Sequence, residues 1–186
     1  MNTLRRTQFG NPILRETARQ LTKSEVLAPK TQKLIKDMKH TLTSIRLGIG
    51  LAAPQVGESV ALAVIVLQPT PHRMQIVPFE MVIINPEITQ TFGRKKQLWE
   101  GCISSGPGTA GLFAMVPRYS KIKVKFMDSD GEWHHKQFED LQAHVIQHET
   151  DHLNGVLFPD RVKDTKSYMT YAEYKKRQKK ASKVQA

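Results

Sequence analysis

The stretch Gln147-His148-Glu149-Thr150-Asp151-His152-Leu153-Asn154-Gly155 decides how the rest of the chain is read. Two histidines four residues apart share one face of a helix, so both imidazoles can reach one ion. Glu149 lies beside that face, placed to take a proton from a water on the ion. At this chain's His and Glu frequencies, H-E-x-x-H arises by chance with a probability of roughly 0.014. The plainer reading is a core helix carrying satisfied histidines. The neighbouring residues weaken it. Leu141, His144, Val145, His148 and His152, with Ile146 and Leu153, form one continuous stripe. Two histidines and a glutamate buried there without an ion would be costly. Gly155 stands where a helix C-cap is expected.

A third ligand is needed, and the downstream sequence does not supply one. The pattern H-E-x-x-H-x-x-G-x-x-H has its glycine in Gly155, but its last position is Phe158. The other zinc-peptidase plan takes a glutamate from a later helix, and only Glu173, among lysines, comes near. Upstream lies Glu100-Gly101-Cys102-Ile103-Ser104. Cys102 is the single cysteine, so no internal disulfide forms and a reducing compartment fits. Alone the triplet is weak. In a protein short of one ligand, Cys102 is the leading candidate, held as thiolate by a metal.

Other elements follow from periodicity. Leu34, Ile35, Met38, Leu42 and Ile45 fall at helical spacing over 31–45, ended by Gly48 and Gly50. Residues 60–67 and 81–84 read as strands joined by a Pro-rich loop through Pro69, Pro71 and Pro78. Residues 122–126 alternate, Asp130-Gly131 turns, and 133–138 return as a hairpin. A basic helix is expected from Thr165 to about Lys183, with Tyr168, Met169, Ala172 and Tyr174 available for packing. The order reads as α+β.

The length, 186 residues, suits one domain, and 39% hydrophobic residues suffice for a core. We divide it into a catalytic unit over 1–164 and a basic tail over 165–186. No apolar run is long enough to cross a bilayer. Met1 to Arg6 lack an apolar segment after their arginines, so no secretory signal is expected and a cytoplasmic location is. The net charge of +11 points to a polyanionic partner. It concentrates in Lys175, Lys176, Arg177, Lys179, Lys180 and Lys183. A solvated tail is the plainer account of these residues.

A third segment, Gly48-Ile49-Gly50-Leu51-Ala52-Ala53-Pro54-Gln55-Val56-Gly57, permits close backbone approach and ends near a side-chain amide. By itself it reads as a helix cap leading into a strand. Together, residues 48–55, 100–104 and 147–155 resemble, in order and spacing, the three signature motifs of the peptide deformylase family. The resemblance reaches about Val162. It implies an α+β fold with mixed or antiparallel sheets packed around a central helix carrying H-E-x-x-H. It implies Fe2+ as physiological metal, with Zn2+, Ni2+ or Co2+ acceptable to a thiolate and two imidazoles. The substrates implied are N-formylmethionyl nascent peptides, with release of formate. Similarity to members with a C-terminal helical extension implies docking of the tail on the ribosome.

The same resemblance assigns roles. Cys102, His148 and His152 hold the metal, and Glu149 is general base and acid for the attack of metal-bound hydroxide on the formyl carbon. Gln55 and the backbone N–H of Ile103 meet the charge on the formyl oxygen. Apart from the resemblance, Ile49, Leu141, His144 and Val145 are candidates for an apolar pocket for the methionine side chain, since 141, 144, 145 and 148 share one helical face. With Gly48, Gly50, Leu51 and Trp99 they make the substrate-binding set, although Trp99 also reads as a core or edge residue. His144 reads equally as pocket lining or core. Glu100 is expected to pair with Arg118. One departure stands out: residues 104–118 run a few residues longer than the family pattern, and Phe113 falls where members carry a charged or polar residue. An internal-bond zinc peptidase, a non-catalytic RNA-binding relative and a deacylase of another substrate are the competing readings.

Overall fold

A computed structural model describes residues 1–45, 48–69, 76–106 and 111–184, with side chains to 178. Pro71 and His72 lie outside the described residues, as do Pro107 to Ala110 of the long loop and the side chains of Lys179, Lys180 and Lys183.

The fold is organised around β2 (Leu62–Leu67), every residue of which is buried. Alternate side chains of a strand point to opposite faces. Ala63, Ile65 and Leu67 therefore enter one core cluster, with Val145, Ile146 and Leu153. Leu62, Val64 and Val66 enter another, with Ile35, Met38 and Leu42. Both faces are covered, which explains the unbroken apolar run. One cover is helix α2 (Pro29–Thr43), preceded by the short α1 (Lys23–Leu27). Pro29 starts α2 because its fixed φ suits the first helical turn and its missing N–H is not needed there. The other cover is α3 (Asp140–Leu153), the helix of the H-E-x-x-H motif.

β1 (Gly50–Ala52), β2, β3 (Phe79–Gly101), β4 (Leu112–Met127) and β5 (Trp133–Glu139) pair in that order, all antiparallel. A two-residue β6 (Met169–Thr170) joins the same sheet beside the start of β4. A short helix α4 (Phe158–Arg161) and the C-terminal α5 (Tyr171–Val184) complete the chain. The α+β architecture is as expected, with a central helix against an antiparallel sheet. α3 is buried at every residue from Val145 to Leu153.

Several boundaries differ from expectation. The helix expected over 31–45 runs Pro29–Thr43. Val60 only bridges Arg19, and β2 begins at Leu62. The strand expected over 81–84 continues to Gly101 as one half of a long, bulged ribbon with β4. Its far part is mostly exposed, so ladder hydrogen bonds define it rather than apolar alternation. The last helix begins at Tyr171, because Met169 and Thr170 extend the sheet.

Residues 6–18 strap these parts together. Thr7 N–H donates to Gln55 O at 2.8 Å, Phe9 N–H to Ser104 O at 2.8 Å, and Ala18 N–H to Leu153 O at 2.8 Å. The Arg6 guanidinium donates to Ile103 O at 3.1 Å. One segment thereby holds both loops that flank α3.

Candidate active site

α3 presents His148 and His152 on one face, with ring centroids 4.8 Å apart. β3 ends at Gly101, and the chain turns so that Cys102 Sγ comes 3.2 Å from His152 Nε2. One ligand atom from each of Cys102, His148 and His152 lies within 4.8 Å of the others, and all three residues are buried. Among the described residues this is the one such cluster of metal-ligating side chains.

The surroundings suit a cation. Gln55 Nε2 and Ser104 N–H both approach Cys102 Sγ at 3.4 Å, as donors toward a thiolate would. Two buried polar atoms at the centre have no hydrogen-bond partner among the described residues, Glu149 Oε2 and His152 Nδ1. Buried polar atoms are nearly always satisfied, so an orphaned carboxylate oxygen beside three soft and borderline donors marks a place for an ion and its water. The residues present fit a divalent metal.

A charged network lies behind the donors. Glu100 receives His148 Nδ1–H, accepts His144 Nε2 at 2.9 Å, and is gripped by Arg118 through Nε at 3.0 Å and Nη2 at 2.8 Å. Arg118 also reaches Asp151, which Arg161 holds from its other side at 2.7 Å. Burial pushes the Glu100 carboxyl up, but the His148 charge and the hydrogen bonds of His144, His148 and Arg118 outweigh it and hold it well below the usual range. Burial pushes His148 down, but the Glu100 charge and hydrogen bond outweigh it and hold this imidazole well above the ordinary range. With Nδ1–H committed to Glu100, a metal at Nε2 would displace the second proton. Burial, then the charge of His148, pushes His152 well below the ordinary imidazole range, so His152 offers a lone pair. Glu149 is pushed up to about 7, chiefly by burial.

Gln55 is fixed in orientation because its Oε1 accepts Ala52 N–H at 2.8 Å. Its Nε2 then points to Ser104 Oγ at 3.2 Å and to Cys102. On α3, Gln147 holds both backbone groups of Tyr119, at 3.1 and 2.7 Å, and so sets the helix against β4.

A cavity of about 140 Å³ opens onto Glu149. Of the expected residues, Gly48, Ile49, Gly50, Gln55, Trp99, Cys102, Ile103, Leu141, His144, Val145, His148 and Glu149 line it. His144 does so while bonded to Glu100. His152 is set back beside Cys102. Leu51 is the one candidate placed elsewhere: its side chain is fully buried in the core against α2. Glu100, Gly101 and Tyr174 line the cavity without having been expected there, and Phe113, whose departure bore on the substrate wall, lines it as well. For Phe113 the signal was its departure from the family pattern. For Tyr174 the sequence offered only a ring available for packing on the last helix.

Fold and donor set together define a metallohydrolase of the H-E-x-x-H class in which a cysteine takes the third place. The polypeptide deformylase family model matches residues 4–168. The peptide deformylase of Leptospira biflexa is 40% identical over 163 residues, 87% of this chain and 88% of its own. That of Desulfotalea psychrophila is 40% identical over 181 residues, 97% of each chain. The crystal structure from Thermotoga maritima gives a TM-score of 0.73 at 35% identity, covering 88% of this chain and 100% of that one. A class I type b enzyme from Acinetobacter baumannii, bound to Met-Ala-Ser, gives 0.78 at 30% identity, covering 86% and 98%. The chain belongs to the polypeptide deformylase family. It is accordingly a hydrolase of protein biosynthesis, in a family that removes the N-formyl group from nascent peptides.

Proposed function

We propose that the chain deformylates the N-terminal methionine of new polypeptides at a divalent metal held by Cys102, His148 and His152. The observation that carries this reading is the convergence of those three donors beside the orphaned Oε2 of Glu149. When bound, the ion supplies Lewis acidity to the attacking water and to the formyl oxygen. Glu149, with its pKa near neutrality, takes the proton from the water and returns it to the leaving amine, so that water and formamide become formate and a free N-terminus. The Gln55 amide and the Ile103 N–H meet the negative charge on the formyl oxygen, each such donor being worth about 10²–10³ in rate. Ile49, Leu141, His144 and Val145 receive the methionine side chain, while Gly48 to Leu51 and Trp99 bound the peptide.

A soft thiolate with two imidazoles accepts iron, nickel, cobalt or zinc. Fe2+ is the physiological assignment, carried by the family resemblance. Among the described residues no helix is long and apolar enough to cross a membrane. A cytoplasmic site of action follows from the nascent-chain substrate. Residues 1–164 supply the chemistry, and the basic segment 165–186 docks on ribosomal RNA or protein. Exposed Lys176 and Arg177 support the docking role.

Formate release from a formyl-Met peptide tests the assignment, with protein purified without oxygen and run beside Glu149→Ala. Rapid release by the parent and a loss of at least about 10²-fold in the variant is the expected result. An inactive parent carrying one metal per chain would sink it.

A further inference from the structure

Phe113 faces Gly101 across the β3–β4 ladder. Its ring is pressed onto that glycine so closely that a Cβ there would lie 2.6 Å from the nearest ring carbon. An aromatic ring thus flanks the backbone leading directly into Cys102. Tyr174 of α5 stacks on Phe113, with centroids 4.3 Å apart and planes 9° apart. Tyr174 also meets Trp99 of β3 edge-on, at 5.9 Å and 61°. Tyr171, one turn earlier, packs on Phe113 at 5.9 Å. Trp99, Phe113 and Tyr174 all line the cavity that contains Glu149.

The C-terminal helix is tied to this place by backbone bonds. Leu112 pairs with Thr170 and Phe113 with Met169. Tyr171 N–H donates to Gly111 O at 3.3 Å, and Met115 N–H to Ser167 Oγ at 3.1 Å. The proposed function assigns the methionine to Ile49 before β1 and to Leu141 and Val145 on α3, which line the same cavity. The rings come from β3, β4 and α5, and so are left for the residue that follows the methionine. Among the described lining residues none is lysine or arginine, while Glu100 and Glu149 are acidic. An acidic side chain would find no counter-charge there. A planar apolar one would find rings already ordered, and such ring pairs gain energy beyond simple burial.

We propose that Tyr174, stacked on Phe113 and set against Trp99, forms a specificity wall of the substrate cavity that favours an aromatic side chain in the residue after the N-terminal methionine. This inference rests on the deformylase reading of the site. It makes the C-terminal helix a part of substrate selection as well as a basic appendage.

Two readouts test it. The first is the ratio of kcat/KM for formyl-Met-Phe-Ser over formyl-Met-Ala-Ser. The second is the ratio of affinities for the unformylated peptides, followed by Trp99 fluorescence in a Trp133→Phe background, where Trp99 is the only tryptophan. Parent enzyme should prefer the Phe peptide. Tyr174→Ala should reduce that preference about three- to tenfold, and Tyr174→Phe should retain it. A parent that releases no formate from either peptide refutes the deformylase reading, and the fluorescence ratio still decides the role of the wall. An unchanged ratio in Tyr174→Ala overturns the proposal. So does an equal loss for both peptides, which would mean that the ring only supports the fold.

Discussion

The α-carbon of Gly50 lies against the carboxylate of Glu149. A Cβ added there would sit 2.2 Å from Oε1 and 2.7 Å from the carboxyl carbon. Gly50 belongs to β1, whose pairing with β2 fixes its position, so the glutamate rather than the strand would have to move. A displacement of about 1 Å at a reacting group can cost on the order of 10² in rate. Gly50→Ala should therefore lose about 10²-fold in kcat while retaining its metal. Formate release and metal analysis on the same sample check this. A variant of near-parental kcat would show that Glu149 has more freedom than its packing allows.

Cys102 should decide metal retention. A serine hydroxyl is a far poorer ligand than a thiolate for a borderline ion. Cys102→Ser should fall from about one metal per chain to almost none after dialysis. An ion that binds only the folded state also raises its stability. A chelator should thus lower the melting temperature of the parent and leave that of the variant unmoved. Equal sensitivity in both proteins would remove Cys102 from the ligand set.

Arg118 is buried between Glu100 and Asp151 and bonded to both. Removing one partner of a buried charged set leaves the others unpaired, at about 3–5 kcal/mol. Arg118→Leu should lose stability on that scale in urea unfolding. Asp151 keeps Arg161, so the loss falls mainly on Glu100 and, through it, on His148. A change below about 1 kcal/mol would show that water replaces the guanidinium.

The tail should bind through charge. Replacing Lys175, Lys176 and Arg177 by glutamate should abolish cosedimentation with ribosomes at low salt and leave hydrolysis of a short formyl peptide within about twofold of parent. Binding of the parent should weaken steeply as salt rises. Salt-independent cosedimentation, or none by the parent, would refute a polyanion-binding tail.

Much of the molecule was legible because burial writes itself into spacing. β2 showed as an apolar run because both its faces are covered, and α3 showed as a stripe carrying two histidines. Cys102 was found by elimination, helped by being the only cysteine. The long ribbon was not legible beyond residue 84. Glu87, Thr89, Gln90, Lys95 and Lys96 are exposed there, so no apolar alternation records their pairing with β4. The start of α5 was misplaced because sheet edges recruit residues through backbone bonds, which carry no side-chain signature. Tyr174 reached the cavity by tertiary packing that no local pattern encodes.

The strap of residues 6–18 has a consequence for biosynthesis. Its hydrogen bonds reach Gln55, Ile103, Ser104 and Leu153. The ribosome finishes this strap long before it makes the last of those partners. Its Leu153 partner is made more than a hundred residues after the strap, so that bond cannot form until then. Contacts so far apart in sequence close slowly. The donor set Cys102, His148 and His152 is complete only once His152 has been made, so a nascent fragment that ends before it lacks a ligand.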